Sequence, residues 1–405
     1  MTTYSDYIFP HGMIRLYPQI AFIRKGPPLK ITDVTVYLAK EWRTFLFVIV
    51  DTDAGIYGLG EAGITGRELA VQGAIEHFKP LLIGQDPFRI EHIWQMLFRG
   101  GFFPADSILT AAISAIDIAL WDIKGKALGV PVYELLGGRV RDKVLTYTHN
   151  SGDNIDALIE SCQQAVQAGW KVLRWHLSEQ AGNILNPRQA VLTTLKQVEA
   201  VRGAVGDAIE LCLDVHTRLD LADTLWLCSA IDQYHPFFVE DPLRVENPQS
   251  YRNLRNRTTV PIAAGEQYSS KWQFRQVIEE ELIDYARVDL CICGGITEAK
   301  KIVGWCETHY IDVAVHNPIG PVATSACLHL NLACPNFAVQ ELPRLPNVSL
   351  PDVVLNQPRW LDGYLLPPDK PGLGIEFDRA AIRKYPFEIT ELPHLRNSDG
   401  AVTNW

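Results

Sequence analysis

Cysteine is scarce and unevenly placed in this 405-residue chain. None of its eight cysteines falls within the first 161 residues, and no Cys-x-x-Cys pair occurs. Most lie inside apolar runs such as Leu211-Cys212-Leu213, where a free buried thiol is expected. The pair Cys291-Ile-Cys293 lacks the further ligands that a zinc site needs. This usage fits a reducing cytoplasm.

Long apolar runs and basic stripes are also missing. Nowhere do about 18 consecutive apolar residues occur, so we expect no membrane-spanning helix. The stretch Met1–Lys30 has no basic region followed by an apolar one, and does not predict a signal peptide. The net charge is −10, which argues against nucleic acid or an anionic membrane as partner. With 47% hydrophobic and 21% charged residues, the chain is typical of a soluble globular protein.

The first region, residues 1–140, predicts an α+β domain. Strands are expected at Ile31–Leu38, Thr44–Val50 and Ile56–Glu61, with a turn at Asp53-Ala54-Gly55. Helical spacing of apolar residues then runs from Arg67 to Leu135. The last region, residues 342–405, is rich in proline and glycine, and we expect it to pack back onto the first.

The middle region, residues 141–341, alternates short apolar runs with helical stretches. Six successive runs end in an ionisable residue, and the steps between these residues are 26, 26, 23, 27 and 25. The six are Asp214, Glu240, Glu266, Asp289, His316 and Glu341. Such a step fits one strand, one helix and two loops. Two earlier runs, Val144–Thr148 and Trp170–Arg174, bring the strands to eight and predict an α/β fold of the TIM-barrel type.

Three of these residues form a candidate metal site. Asp214, Glu240 and Glu266 end consecutive strands, and should converge on one side of the barrel mouth, where barrel enzymes build their sites. Three close carboxylates repel one another unless a hard cation joins them. Ligation by oxygen alone favours Mg²⁺ over zinc or copper. Each acid could instead cap the helix that follows its strand, but three at a constant spacing favour the metal site.

These residues resemble the enolase superfamily, and within it the mandelate racemase subgroup. The run Ala115–Lys126, continued by Tyr133–Gly138, is similar to the subgroup's N-terminal signature. The resemblance extends to Asp289, Gly294–Thr297, His316 and Glu341 at the later strand ends. It implies a (β/α)7β barrel and an α+β capping domain completed by the C-terminal segment. It also implies that loops near Tyr37–Trp42 and Glu61–Arg67 cover the site, and that the protein is a homo-oligomer.

The subgroup's chemistry is proton abstraction next to a carboxylate, with a Lys or His base and magnesium. The usual Lys-x-Lys of the second strand is here Arg174-Trp175-His176, and arginine stays protonated. We therefore expect no lysine-dependent mechanism. His176 is left as a substrate contact or alternative base, and Arg174 as a partner of the substrate carboxylate or of a metal ligand.

His316 is the better candidate base. Asp289, one strand earlier, can hydrogen-bond one ring nitrogen and leave the other free to accept a proton. His216 lies two residues after Asp214 and should face the same side, opposite His316, as the acid for a departing hydroxyl. The same Asp-x-His occurs in the galactonate and mannonate dehydratases that this chain resembles. Glu341, if protonated, would hydrogen-bond the enediolate, a role that needs a raised pKa.

The sequence therefore predicts a cytoplasmic, magnesium-dependent dehydratase. Its substrate would be a small sugar acid, an aldonate such as mannonate, gluconate or galactonate, and its product a 2-keto-3-deoxy acid. An acid-sugar or 2-hydroxy-acid epimerase or racemase remains a second enzymatic interpretation. A homologue that binds ligand with little turnover remains a third.

Overall fold

The computed structural model describes residues 29–178 and 183–404. The predicted capping domain begins at Met1 and the predicted C-terminal segment ends at Trp405, and both of these ends lie outside the described residues. Within the described ranges, every helix is too short or too polar to cross a membrane.

The described part of the capping domain begins with an antiparallel sheet in the order β1-β2-β3. The strands are β1 (Ile31–Lys40), β2 (Thr44–Thr52) and β3 (Tyr57–Ala62), as predicted. The helices are α1 (Glu68–Leu82), α2 (Ile90–Arg99), α3 (Ser107–Leu128) and α4 (Val132–Leu135). Helix α3 is apolar on nearly all sides because it lies between the sheet and the barrel. Asp106 caps its first turn, and Gly129, in the left-handed conformation, ends it.

The barrel alternates strands and helices along the chain. Its strands are β4 (Val144–His149), β5 (Val172–His176), β6 (Glu210–Asp214), β7 (Phe238–Glu240), β8 (Ile262–Ala264), β9 (Tyr285–Ala286), β10 (Asp312–Val315) and β11 (Phe337–Glu341). Its helices are α5 (Ile155–Gln167), α6 (Pro187–Val205), α7 (Leu221–Ile231), α8 (Gln249–Arg255), α9 (Lys271–Glu279), α10 (Gly295–Glu307) and α11 (Pro321–Leu332).

All eight strands pair in parallel, and β11 closes the barrel by pairing with β4. The predicted (β/α)7β barrel is therefore confirmed. Several strands are shorter than predicted: Glu266, Asp289 and His316 lie just beyond the ends of β8, β9 and β10. Their side chains are thus carried on the first loop residues at the barrel mouth. Buried apolar residues that include Cys212 and Phe238 fill the interior below.

The C-terminal segment touches both units. Its short strands are β12 (Val354–Leu355), β13 (Trp360–Leu361), β14 (Tyr364–Leu365), β15 (Glu376–Phe377), β16 (Leu395–Arg396) and β17 (Val402–Asn404). The backbone N–H of Leu373 donates to Asp122 of α3 at 2.8 Å, and Tyr57 of β3 donates to Glu376 at 2.6 Å. Strand β14 also pairs with β4 of the barrel, so the segment links the cap to the barrel as well as packing on the cap.

Candidate active site

A pocket of about 670 Å³ lies between the carboxyl ends of the barrel strands and the cap. Barrel side chains form its floor and walls, and cap residues from the two predicted covering loops, including Trp42 and Thr65, line its upper part. The predicted site residues that line the pocket are Arg174, His176, His216, Glu266, Asp289, His316 and Glu341. Asp214 and Glu240 are fully buried.

The three predicted metal ligands converge. Carboxylate oxygens of Asp214, Glu240 and Glu266 all lie within 4.8 Å of one another. Oε2 of Glu240 is buried without a hydrogen-bond donor in the described part of the chain, and Oε2 of Glu266, also buried, forms no hydrogen bond there although Nε2 of His316 lies 3.3 Å away. Buried acceptors without donors are costly, and a hard dication ligated by oxygens would satisfy them. The residues present therefore fit Mg²⁺.

Two arginines contact this cluster of carboxylates. Arg174 of β5 hydrogen-bonds Asp214, a contact that the second of its two predicted roles, partner of a metal ligand, requires. Arg287 was not predicted. Its Nε lies 2.7 Å from Oε1 of Glu240, and its Nη2 lies 2.6 Å from Oε2 of Glu341. The signal was present in the sequence, because Arg287 precedes Asp289 by two residues inside an apolar run, and alternation turns both inward.

His316 and Asp289 form a hydrogen-bonded pair. Nδ1 of His316 lies 2.7 Å from Oδ2 of Asp289, and the other carboxylate oxygen of Asp289 accepts the backbone N–H of Cys291 at 2.6 Å. This contact fixes the ring and leaves Nε2 directed at the carboxylate cluster, 3.3 Å from Oε2 of Glu266. Burial opposes a charge on His316, but Glu266, Glu341 and Asp289 together raise its pKa to about 9.

His216 and His176 lie on the opposite side of the cluster. Nε2 of His216 is 2.8 Å from Oδ2 of Asp214, and the Nδ1 atoms of the two rings are 3.2 Å apart. Burial and the nearby Arg174 guanidinium hold the pKa of His216 well below its usual value, and lower that of His176 to about 2. Both rings are therefore neutral near pH 7. With Asp214 they form a second group of closely placed ligand atoms.

Glu341 accepts hydrogen bonds from several donors. His149, at the end of β4, lies 2.6 Å from Oε1 of Glu341, and the backbone N–H of Asn317 donates to Oε2 at 2.9 Å. Burial alone would raise the pKa of Glu341, but the charges of His316 and Arg287 and the contact with His149 hold it well below its usual value. This setting favours the carboxylate and does not meet the condition for the predicted donor role. His149 was missed because the predicted strand stopped one residue short of it.

Sequence comparison assigns the family over most of the chain. Residues 22–137 match the mandelate racemase / muconate lactonizing enzyme N-terminal domain, and residues 157–381 match the enolase C-terminal domain-like family. The chain belongs to the enolase superfamily. The predicted resemblance is thereby confirmed.

Two similar relatives carry the names D-galactonate dehydratase and D-galactonate dehydratase family member. A D-galactonate dehydratase of Ralstonia nicotianae is 38% identical over 386 residues, which cover 93% of this chain and 100% of the relative. A D-galactonate dehydratase family member of Streptomyces bingchenggensis is 37% identical over 402 residues, covering 93% and 98%. Among solved structures, an enolase of Pantoea ananatis with bound D-gluconate and Mg is 33% identical, with a TM-score of 0.88 over 92% of this chain and 99% of that one.

Proposed function

We propose that this protein is a magnesium-dependent dehydratase that converts a sugar acid, an aldonate, to a 2-keto-3-deoxy acid. The observation that carries the proposal is the Asp289–His316 pair, in which the ring nitrogen not bonded to Asp289, Nε2, faces the carboxylate cluster in one pocket. A base beside a cation site is the arrangement needed to remove a weakly acidic proton next to a carboxylate. Relatives that bear the name D-galactonate dehydratase, and a similar structure holding D-gluconate and Mg, support the choice of substrate class.

Asp214, Glu240 and Glu266 would hold the magnesium ion, which when bound supplies positive charge that stabilises the enediolate form of the substrate. A cation on Glu266 would also weaken the largest attraction that raises the pKa of His316. His316 would then be closer to the neutral form that a base requires. Arg174 donates a hydrogen bond to Asp214 and compensates part of its negative charge.

The reaction starts when Nε2 of His316 takes the C2 proton. The electron pair left at C2 forms a double bond to C3, and the bond between C3 and its hydroxyl breaks. His216 is placed to give the departing oxygen a proton, so that water leaves and an enol remains. The enol then tautomerises to the keto acid. The neutral state of His216 in this structure opposes the acid role, which is proposed from its position alone.

Product analysis tests this function. The protein is dialysed against a chelator, magnesium is restored, and mannonate, gluconate, galactonate and several aldarates are screened for 2-keto acid, with His316→Asn in parallel. We expect keto acid only with magnesium and none from the variant. Exchange of the C2 proton with deuterated solvent without keto acid would show an epimerase or racemase instead. Neither product nor exchange, together with tight ligand binding, would show a binding homologue.

A further inference from the structure

Two buried carboxylates of the cap lie at the N-termini of two consecutive barrel helices. Asp117 of α3 accepts hydrogen bonds from the backbone N–H of Thr297 at 3.0 Å and from its hydroxyl at 2.5 Å, in the first turn of α10. Glu61 of β3 accepts the backbone N–H of Ala323 at 2.8 Å, in the first turn of α11. Each carboxylate thus caps a helix of the other unit.

Neither helix has a cap from its own sequence. The residue before α10 is Gly294 and the residue before α11 is Gly320, and no side chain supplies a cap at either position. A Cβ on Gly295 would lie 2.3 Å from Asp117, and one on Gly320 would lie 2.2 Å from Glu61. The glycines therefore leave the space that the two cap carboxylates occupy, and any larger residue would displace them.

The capped helices follow the loops that carry Asp289 and His316. Five residues separate Asp289 from Gly295, where α10 begins, and a second contact from the cap holds this loop, since Gly63 donates its backbone N–H to the Cys291 carbonyl at 2.9 Å. The loop from His316 to α11 is held at one end by Asn317, which donates to Glu341, and at the other end by Glu61. The two loops that fix the geometry of the pair are thus anchored by the cap.

Burying a carboxylate is costly unless it gains hydrogen bonds and favourable charge. Glu61 is 0% exposed and Asp117 is 2% exposed. Burial raises their pKa values, to about 8 for Glu61 and about 7 for Asp117, despite the hydrogen bonds they accept. The positive end of each helix dipole offsets part of this cost. Acids whose only role is to interact with solvent would not be expected at these buried positions.

We propose that Asp117 and Glu61 are positioning residues that hold the Asp289 and His316 loops, so that the base is correctly placed when the cap is docked on the barrel. The proposal rests on the proposed function for the identity of the base. It also gives a physical role to the predicted signature run Ala115–Lys126, whose Asp117 takes no part in the chemistry.

The test uses the full-length enzyme and the variants Asp117→Asn, Glu61→Gln and Thr297→Val. The matched control is Asp122→Asn. Asp122 is also a fully buried carboxylate of α3, but its hydrogen-bond donors are Lys126, Leu59 and Leu373, which belong to neither loop. Three quantities are measured for each variant: the melting temperature, the kinetic constants with protonated and C2-deuterated substrate, and hydrogen–deuterium exchange of residues 289–295 and 316–320.

We expect Asp117→Asn and Thr297→Val to speed amide exchange in residues 289–295, and Glu61→Gln to speed it in residues 316–320. For Asp117→Asn and Glu61→Gln, kcat should fall roughly 10- to 100-fold, because a small misplacement of the base is costly. KM should change little, and the C2-deuterium isotope effect should rise because proton abstraction becomes slower. Asp122→Asn should lower the melting temperature without changing the isotope effect or the exchange of either loop.

Two results would overturn the proposal. One is unchanged loop exchange in Asp117→Asn and Glu61→Gln. The other is a loss of activity that follows the melting temperature equally in these variants and in Asp122→Asn, with a constant isotope effect. Failure of the proposed function is distinguishable: the wild-type enzyme would then form no keto acid, while the exchange experiment would still report whether the two carboxylates hold the loops.

Discussion

Nη2 of Arg287 lies 2.6 Å from Oε2 of Glu341, while Nε of the same guanidinium lies 2.7 Å from Oε1 of Glu240. All three side chains are at most 1% exposed. Arg287 also donates to the Ala314 carbonyl and to the Tyr147 hydroxyl, so four acceptors surround it. The buried Arg287 guanidinium therefore joins Glu240, a candidate metal ligand, to Glu341, the carboxylate that faces His316.

Replacement of Arg287 should be among the most destabilising single changes in the barrel. Arg287→Met leaves Glu240 and Glu341 buried without their partner, and breaking a buried ion pair costs about 3–5 kcal/mol. Urea denaturation at fixed magnesium measures the free energy of unfolding. Arg275→Met is the control, because Arg275 is an exposed partner of Glu279, and surface changes typically stay within about 0.5 kcal/mol. Equal stabilities of the two variants would contradict this account.

The barrel could be predicted because six successive apolar runs end at an ionisable residue, and the spacing of those residues reports the length of one βα unit. Asp214, Glu240 and Glu266 follow from strand order alone, since neighbouring parallel strands carry their ends to the same place. The prediction used the last residue of each run. Arg287 was overlooked because it lies inside its run rather than at the end.

Other features could not be predicted from local sequence. The ionisation of Glu341 depends on Arg287, His316 and His149, which lie far from it along the chain. Asp117 meets its partner Thr297 across 180 residues, and Glu61 meets Ala323 across 262. A helical run of apolar residues indicates that α3 is buried. It does not indicate which barrel helix Asp117 caps, because that is determined by how the capping domain packs on the barrel.

Magnesium should bind through the carboxylate cluster. Glu266→Gln should weaken magnesium affinity by more than about tenfold, because loss even of outer-shell partners typically costs that much. The matched control is Glu298→Gln: Glu298 is also fully buried, but it pairs with Lys271 and Lys301 outside the cluster. Isothermal titration calorimetry reports the affinity independently of turnover. Equal affinities in the two variants would exclude Glu266 as a ligand.

His216→Asn should separate the two halves of the reaction. His316 and Asp289 remain in place in this variant, so exchange of the C2 proton with deuterated solvent should persist. Formation of keto acid should fall by about 10²- to 10⁴-fold, the usual contribution of a general acid. Nuclear magnetic resonance follows both in one sample. Equal loss of exchange and of keto acid would remove His216 from the acid role.

His329 should make the stability of the protein sensitive to mild acid. This histidine of α11 is fully buried, and its Nδ1 accepts the backbone N–H of Tyr133 at 3.1 Å, which joins the barrel to the cap. Burial lowers its pKa from 6.5 to about 4. Between these values the unfolded chain binds a proton that the folded protein does not, so the free energy of unfolding should fall as the pH drops, by up to about 1.4 kcal/mol per pH unit.

The change His329→Gln tests this directly. Well above pH 6.5, His329 is neutral in both the folded and the unfolded protein. The histidine therefore adds no pH dependence to the free energy of unfolding there. The variant should be less stable than the wild type at pH 7.5, because the ring packs on Tyr133 at 5.4 Å between centroids. Its stability should nevertheless decline less steeply from pH 6.5 to 5, and the two curves should converge. His394→Gln, at a histidine whose side chain is 58% exposed, provides the surface control. Parallel curves for the wild type and His329→Gln would show that another buried group carries the acid sensitivity.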